Sequence, residues 1–359
     1  MGFRKSAVVL LAFSFLFCPS CDSGRISSAT LRQIRQAHVR MLTVDAHIDA
    51  DLLIRSPGDS RALFRRMKAG GLDAAVFFVS KREGDTTPGA EGTARESAEA
   101  AVDRIRRNIE RSSAEASLAL TSADAYRLEK EGKIAAFIGL GGGEAIGADI
   151  SLIQAYHARG VRILSLCGEE DNRICGSATG RGRPEDGGLT DFGRRVVAEC
   201  NRVGVMIDVA GCSEKSYFDV LEVSRSPVIM ACTAVRALCD RPDNLSDEMI
   251  RALAEKDGAI FICLIPERLK RTAAGAAVSI ADVADHVDHV LRFAGVGAVG
   301  IGSGFGGGGG VPGLRHPGEM LHLTTELLRR GYGERETEAV WGGNIMRVFE
   351  KVAALAGDR

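Results

Sequence analysis

Residues 161–209, VRILSLCGEEDNRICGSATGRGRPEDGGLTDFGRRVVAECNRVGVMIDV, pass from an apolar run through a glycine-rich loop and an amphipathic stretch to a second apolar run. The two runs, Val161 to Leu166 and Val205 to Val209, are short and bounded by turn residues, and their continuous apolar character is that of strands buried on both faces. Between them Phe192 to Val203 places apolar residues at helical spacing, so the unit reads strand, loop, helix, strand. A helical crossover of this kind joins parallel neighbours. Working outward, the unit recurs: Leu42 to Val44, Ala74 to Val79 and Ala135 to Leu140 precede it, and Val228 to Met230, Ala259 to Ile265 and Val299 to Ile301 follow. Helical patterns such as Ala98 to Arg111 fill the intervals, and Lys81 to Thr93 and Arg173 to Asp186 read as polar surface loops. Eight alternations in roughly 300 residues fit an α/β fold of the TIM-type (β/α)8 barrel kind better than an open sheet.

Lys and Arg number 46 against 47 Asp and Glu, a formal charge of −1, so no general field draws nucleic acid or an anionic membrane. No basic stripe compensates, and nucleic acid is not an expected partner.

Arg4 and Lys5 precede the apolar run Ser6 to Phe17, the order of a secretory signal. The run is well short of the roughly 20 apolar residues a membrane-spanning helix needs. Cys18-Pro19-Ser20-Cys21 resembles a loose lipobox of bacterial lipoproteins, without the usual upstream leucine. Residues 1–20 therefore read as a lipoprotein-type signal peptide, Cys21 as the lipidated residue, and 21–359 as a single barrel domain. A plain signal peptide cut nearby is the alternative. The expected location is the bacterial cell envelope, with the membrane reached through the lipid anchor. Seven cysteines remain beyond this segment, an odd number. Cys200, Cys239 and Cys263 lie in apolar runs and read as small buried hydrophobes. The sequence does not supply a pairing.

In such a barrel chemistry gathers at the carboxyl ends of the strands. Asp45-Ala46-His47-Ile48-Asp49 follows the first run, and a His and an Asp two apart point the same way and can share one metal ion. A buried His hydrogen-bonded to an acidic neighbour would give the same pattern.

GKIAAFIGLGGGEAIG, GVRILSLC, GGLTDFGRRVVAECNRVGVMIDVAG, SPVIMACTAVRAL, HVDHVLRFAGVGAVGIGSGF and GGNIMRVFEKV resemble, in this order, the signature stretches of the membrane (renal) dipeptidase family over nearly the whole mature chain. The resemblance implies a metal-dependent hydrolase barrel that splits dipeptides with two zinc ions, and VDAHID is similar to its first metal motif. It also exposes departures. Gly141 stands where the family has its metal-bridging glutamate, and Glu144 where a histidine is usual. Cys167-Gly168 replaces a Thr-His pair, and Ala210-Gly211 and Ala231-Cys232 replace two ligand-bearing Ser-His pairs. Asp243 replaces the arginine that grips the substrate carboxylate, and Gly304-Phe305-Gly306-Gly307 replaces Asp-Phe-Asp-Gly. His47 and Asp49 survive as residual metal ligands.

A two-metal hydrolase needs about five or six protein ligands and a proton acceptor, and the remaining histidines do not stand at strand ends. His286 and His289 share a helix expected on the outside. Cys232 could join His47 and Asp49 in a three-ligand site, or act as a thiol nucleophile with His47 as base. Cys167 and Cys212 are offset by one from the lost positions, so they face the wall or pair as a disulfide. Gly306 to Gly310 lacks the Lys-Ser or Lys-Thr of a phosphate loop and reads as a flexible loop. Glu169-Glu170-Asp171 reads as a solvated loop. The expectation is a catalytically degenerate envelope lipoprotein serving as a binding or scaffold module, with no tightly bound cofactor. An active zinc dipeptidase with a rebuilt metal site, and a purely structural subunit, are the alternatives. A ligand at the mouth would be small and neutral or cationic, drawn by Asp49 and Asp243.

Overall fold

Among the described residues nine strands make one parallel sheet, and eight of them close on themselves as a barrel. The computed structural model describes residues 27–54, 57–80, 91–180, 187–271 and 277–357. The leader and Cys21 lie outside the described residues, as do most of the Lys81 to Thr93 loop and residues 181–186 of the second loop. The strands are β1 (Val44–Asp49), β2 (Ala74–Ser80), β3 (Ala116–Leu118), β4 (Ile134–Gly141), β5 (Val161–Ser165), β6 (Met206–Asp208), β7 (Ile229–Thr233), β8 (Ala259–Ile262) and β9 (Val299–Ile301). They run in order around the barrel, except that β3 stands off the path and pairs only with β4. This three-residue strand has no counterpart among the eight runs read from the sequence. Closure comes just past β9: Phe305 bridges Ile48, and the Asp49 amide donates to the Phe305 carbonyl at 2.8 Å.

The first strand is displaced from its expected place. Leu42 and Thr43 only lead into it, and the stretch VDAHID is itself the strand. One extra residue enters between Asp45 and Ile48, since Asp45 pairs with Ala75 while Ile48 pairs with Phe77. Such a bulge re-aims side chains at a barrel rim, and here it takes in His47 and precedes Asp49.

Two apolar layers hold the barrel. Inside it lie Val44, Ala46, Val76, Phe78, Phe137, Ile163, Met206, Ile229 and Phe261, small and large alternating as a packed interior requires. Outside, the opposite faces of the strands pack on helices such as Asp191–Val203. That helix starts where the Thr190 hydroxyl accepts from the Gly193 amide at 2.9 Å and stops at Gly204, whose φ of 85° only glycine adopts readily. It buries Val196, Val197 and Cys200. The amino-terminal end of the barrel is closed by the helix Asn344–Leu355, which sends Ile345, Met346, Val348 and Phe349 into the interior cluster. Asn344 fastens it by donating to the carbonyls of Val296 and Val299 at 2.6 and 2.7 Å. With one end plugged, only the carboxyl ends of the strands open to a ligand. Among the described residues no helix is long and apolar enough to cross a membrane.

Candidate functional site

At the open end the strand termini are tied by two buried carboxylates. Asp45 accepts from the amides of Ser303 at 2.8 Å and His47 at 3.1 Å, joining β1 to the end of β9. Burial pushes its carboxyl up to about 6, against the lowering pull of those hydrogen bonds, and its second oxygen has no partner. Asp208 does the same for β5, β6 and β7: it accepts from the Ser165 hydroxyl at 2.5 Å, the Ala231 amide at 2.9 Å and the Ala210 amide at 3.0 Å. Burial raises this carboxyl as well.

His47 lies flat on Phe78, ring centroids 4.3 Å apart and planes 14° from parallel. The Phe78 ring itself fits only because residue 139 is glycine; a Cβ there would stand 2.8 Å from its Cε1. Burial, and then the positive field of Arg268, lower the His47 imidazole to about 4, so it is neutral at pH 7. Its Nδ1 is buried without a partner. Asp49 stands beside it at the rim, where one carboxylate oxygen accepts from the Asp51 amide at 2.8 Å. Asp49, Asp51 and Glu144 line a cleft of about 190 Å³ with Arg104 as a cation on its wall. That is smaller than the roughly 300–1,000 Å³ of pockets that engulf drug-sized ligands, and its lining carries three carboxylates against one guanidinium.

Three glycines around the mouth hold a backbone shaped for glycine. Gly211, Gly304 and Gly306 have φ of 84°, 72° and 90°, a left-handed backbone that strains an ordinary side chain. At Gly306 a Cβ would also stand 2.8 Å from the Cβ of Asp49 and 3.0 Å from Cγ of Leu52. The run Gly306 to Gly310, expected as a flexible loop, is instead a sequence of tight turns. Gly307 and Gly309 both donate to the Gly304 carbonyl, at 3.0 and 2.9 Å, and Gly310 donates to Leu264 at 2.8 Å. Positive φ at Gly306, Gly308 and Gly310 is what the glycines supply.

Cys232 sits buried at the end of β7 beside Cys263, and this contact together with burial pushes its thiol well up, keeping it protonated at neutral pH. The structure does not gather His47, Asp49 and Cys232 into one donor set: among the described residues no group of three or more His, Cys, Asp and Glu is placed to hold a metal ion. A two-zinc centre of the kind the resemblance implied does not fit the described residues. His286 is committed elsewhere, its Nδ1 accepting from the Val235 amide at 2.9 Å and its Nε2 donating to the Leu269 carbonyl at 2.8 Å. His289 pairs with Asp247 at 2.7 Å.

Asp243 departs from its expected role. It is not a bare charge drawing cations to the mouth, because it binds Arg241 Nε at 2.9 Å and Arg268 Nε at 3.1 Å. Burial alone would raise this carboxyl, but the Arg241 hydrogen bond and the Arg268 charge outweigh it and hold it below the usual carboxylate range. Arg268 was not legible as a site residue. It follows β8 in the short helix Pro266–Leu269, and its Nη1 donates to the Cys232 carbonyl at 2.9 Å, so one guanidinium links Asp243, Cys232 and the field at His47. An arginine in a one-turn helix carries no sequence signal of such a position.

The model of the family described as membrane dipeptidase, peptidase family M19, matches residues 31–359. Dipeptidase 3 of Rattus norvegicus is 35% identical over 237 residues, which is 65% of this chain and 48% of that protein. Dipeptidase aclJ of Aspergillus oryzae is 35% identical over 226 residues, 63% of this chain and 53% of its own. The matched region thus spans about half the length of these relatives. Among solved structures, the probable dipeptidase PvdM of Pseudomonas aeruginosa superposes with a TM-score of 0.85 at 24% identity, covering 91% of this chain and 99% of that one. An amidohydrolase from the same organism superposes with a TM-score of 0.77 at 27% identity, covering 89% and 98%. With the barrel, the strand-end motif on β1 and the match over residues 31–359 in agreement, the chain belongs to the membrane dipeptidase family, peptidase family M19.

Proposed function

We propose that this member of the family has lost peptide hydrolysis and keeps the barrel as a binding or scaffold module at the cell envelope. The observation that carries the reading is the left-handed backbone at Gly211, Gly304 and Gly306, with the 2.8 Å approach of Gly306 to Asp49. These positions have lost their side chains, and the backbone around them has also adopted shapes that a ligand-bearing residue would strain. The ligand we infer is small and neutral or cationic, which the acidic lining of the cleft favours by charge. The purified chain is expected to carry well under one zinc per molecule by elemental analysis and to leave a panel of dipeptides uncut when zinc is added. Turnover in the usual enzymatic range of about 1 to 1,000 per second would refute the reading.

A second reading, an active zinc dipeptidase with a rebuilt site, draws support from one feature. The buried Nδ1 of His47 has no partner, and a metal ion would satisfy it. Two tightly held zinc ions per chain would establish this reading over the first.

Anchoring is part of the proposal. Cys21 carries lipid, as the short apolar run and the Ser20-Cys21 step suggest, and one acyl chain alone binds only marginally, so more than one is expected. Cys21→Ala should move the protein from the membrane fraction to the soluble one. Unchanged sedimentation with membranes would assign the anchor to something else.

A further inference from the structure

We propose that Cys175 and Cys212 are a disulfide site that clamps two loops at the barrel mouth. Their sulfurs stand 3.7 Å apart, both buried. A disulfide holds its sulfurs at about 2.05 Å, so each need move by only roughly 0.8 Å. The two segments are already joined through their backbones. Ser177 pairs with Cys212 as an antiparallel bridge, the Ala178 amide donates to the Gly211 carbonyl at 2.8 Å, and the Ser213 amide donates to the Gly176 carbonyl at 2.9 Å. Cys175 therefore lies diagonally across from Cys212, within reach of a side-chain rotation.

Cys167, the third thiol in this cluster, also lies against the Cys175 side chain and is its competing partner. Its Sγ donates to the Glu170 carbonyl at 3.3 Å and lies 3.9 Å from the Cys175 carbonyl. Cys175 and Cys212 are the pair whose sulfurs meet across the two loops that follow β5 and β6, while a Cys167–Cys175 bond would stay within one loop and is the competing outcome.

The bond would close a loop across the mouth. Cys175 follows β5 and Cys212 follows β6, 37 positions apart. Next to Cys175, Ile174 presses on Gly143, where an added Cβ would stand 2.3 Å from Ile174 Cδ1. Gly143 opens the turn that carries Glu144 into the cleft wall. The clamp therefore holds the backing of that wall against the end of β6, a role independent of whether the cleft binds a ligand or reacts.

The chemistry is exchange with an organic or protein disulfide. One cysteine thiolate attacks a sulfur of the donor, forming a mixed disulfide and releasing one donor thiol. The second cysteine then attacks the protein sulfur of that mixed disulfide and displaces the other donor thiol. The two cysteines are oxidised, one donor disulfide is reduced, and the two protons from the cysteines end on the two donor thiols.

The test uses the purified full chain, first reduced and then incubated with oxidised glutathione. Peptide mapping without reduction is expected to show the peptide containing Cys175 joined to that containing Cys212, with both thiols lost to alkylation. The oxidised protein should melt about 5 °C or more above the reduced one, since closing such a loop restricts the unfolded chain. Cys175→Ser should abolish that difference. If the variant does not fold, the peptide map of the unmodified chain decides alone. Absence of the Cys175–Cys212 link, or its replacement by a link to Cys167 or by stable glutathione adducts, overturns the proposal.

Discussion

Phe137→Ala is expected to lower the unfolding free energy by about 3–5 kcal/mol, the cost of deleting a fully buried aromatic ring that its surroundings cannot replace. The ring lies inside the barrel on β4 with no exposure, stacked on Phe349 at 4.7 Å and 25°. Phe349 belongs to the helix Asn344–Leu355 that plugs the amino-terminal end. The deletion therefore removes both core volume and the contact that seats the plug. Urea denaturation measures it, with Tyr126→Ala as a control, since that side chain is 39% exposed and should change stability by no more than about 0.5 kcal/mol. A loss under about 1 kcal/mol for Phe137→Ala would mean that the helix does not depend on this stack.

The second large effect is pH-dependent. Asp45 titrates at about 6 in the folded chain, against 3.8 without its surroundings, because burial penalises the charge. A raised folded pKa means the folded state binds the proton more tightly than the unfolded state. The stability this contributes is complete below about 4 and is lost as the pH rises through 6. Two units correspond to roughly 3 kcal/mol. Asp45→Asn keeps an oxygen to accept from Ser303 and His47 and removes the charge, so it should be near neutral at pH 4 and stabilising by up to about 3 kcal/mol at pH 8. His47 works in the opposite direction, since its lowered value withdraws stability as the pH falls from 6.5 through 4. That contribution is common to both proteins and cancels in the difference. Equal stability differences at pH 4 and pH 8 would show that the Asp45 carboxyl is not perturbed.

These two residues mark how far sequence reading reaches. Phe137 lies in a run, Ala135 to Leu140, whose unbroken apolar character announces a strand covered on both faces, and the structure places β4 there. Asp45 lies in the same motif as His47 and Asp49, but the metal-ligand reading of that motif rests on those two. What makes Asp45 consequential is the amide of Ser303, 258 residues away, and no local pattern encodes that contact.

The eight-stranded barrel followed from the sequence alone, because apolar runs and their spacing are local properties that burial on two faces imposes residue by residue, and the kinship with the dipeptidases followed from the signature stretches the sequence resembles. The departures from the family's signature stretches were legible from the resemblance, as a glycine or cysteine in such a stretch is visible without coordinates. Tertiary structure alone decided what surrounds them. It set the bulge in β1, which depends on register against β2, and the left-handed turns at Gly304 and Gly306, which glycine permits but does not require. It also brought Arg268 onto Asp243 and the thiol of Cys175 to that of Cys212, pairs that meet because neighbouring parallel strands carry the loops that follow them to one rim. Charge compensation and proximity are properties of that rim, not of any segment that contributes to it.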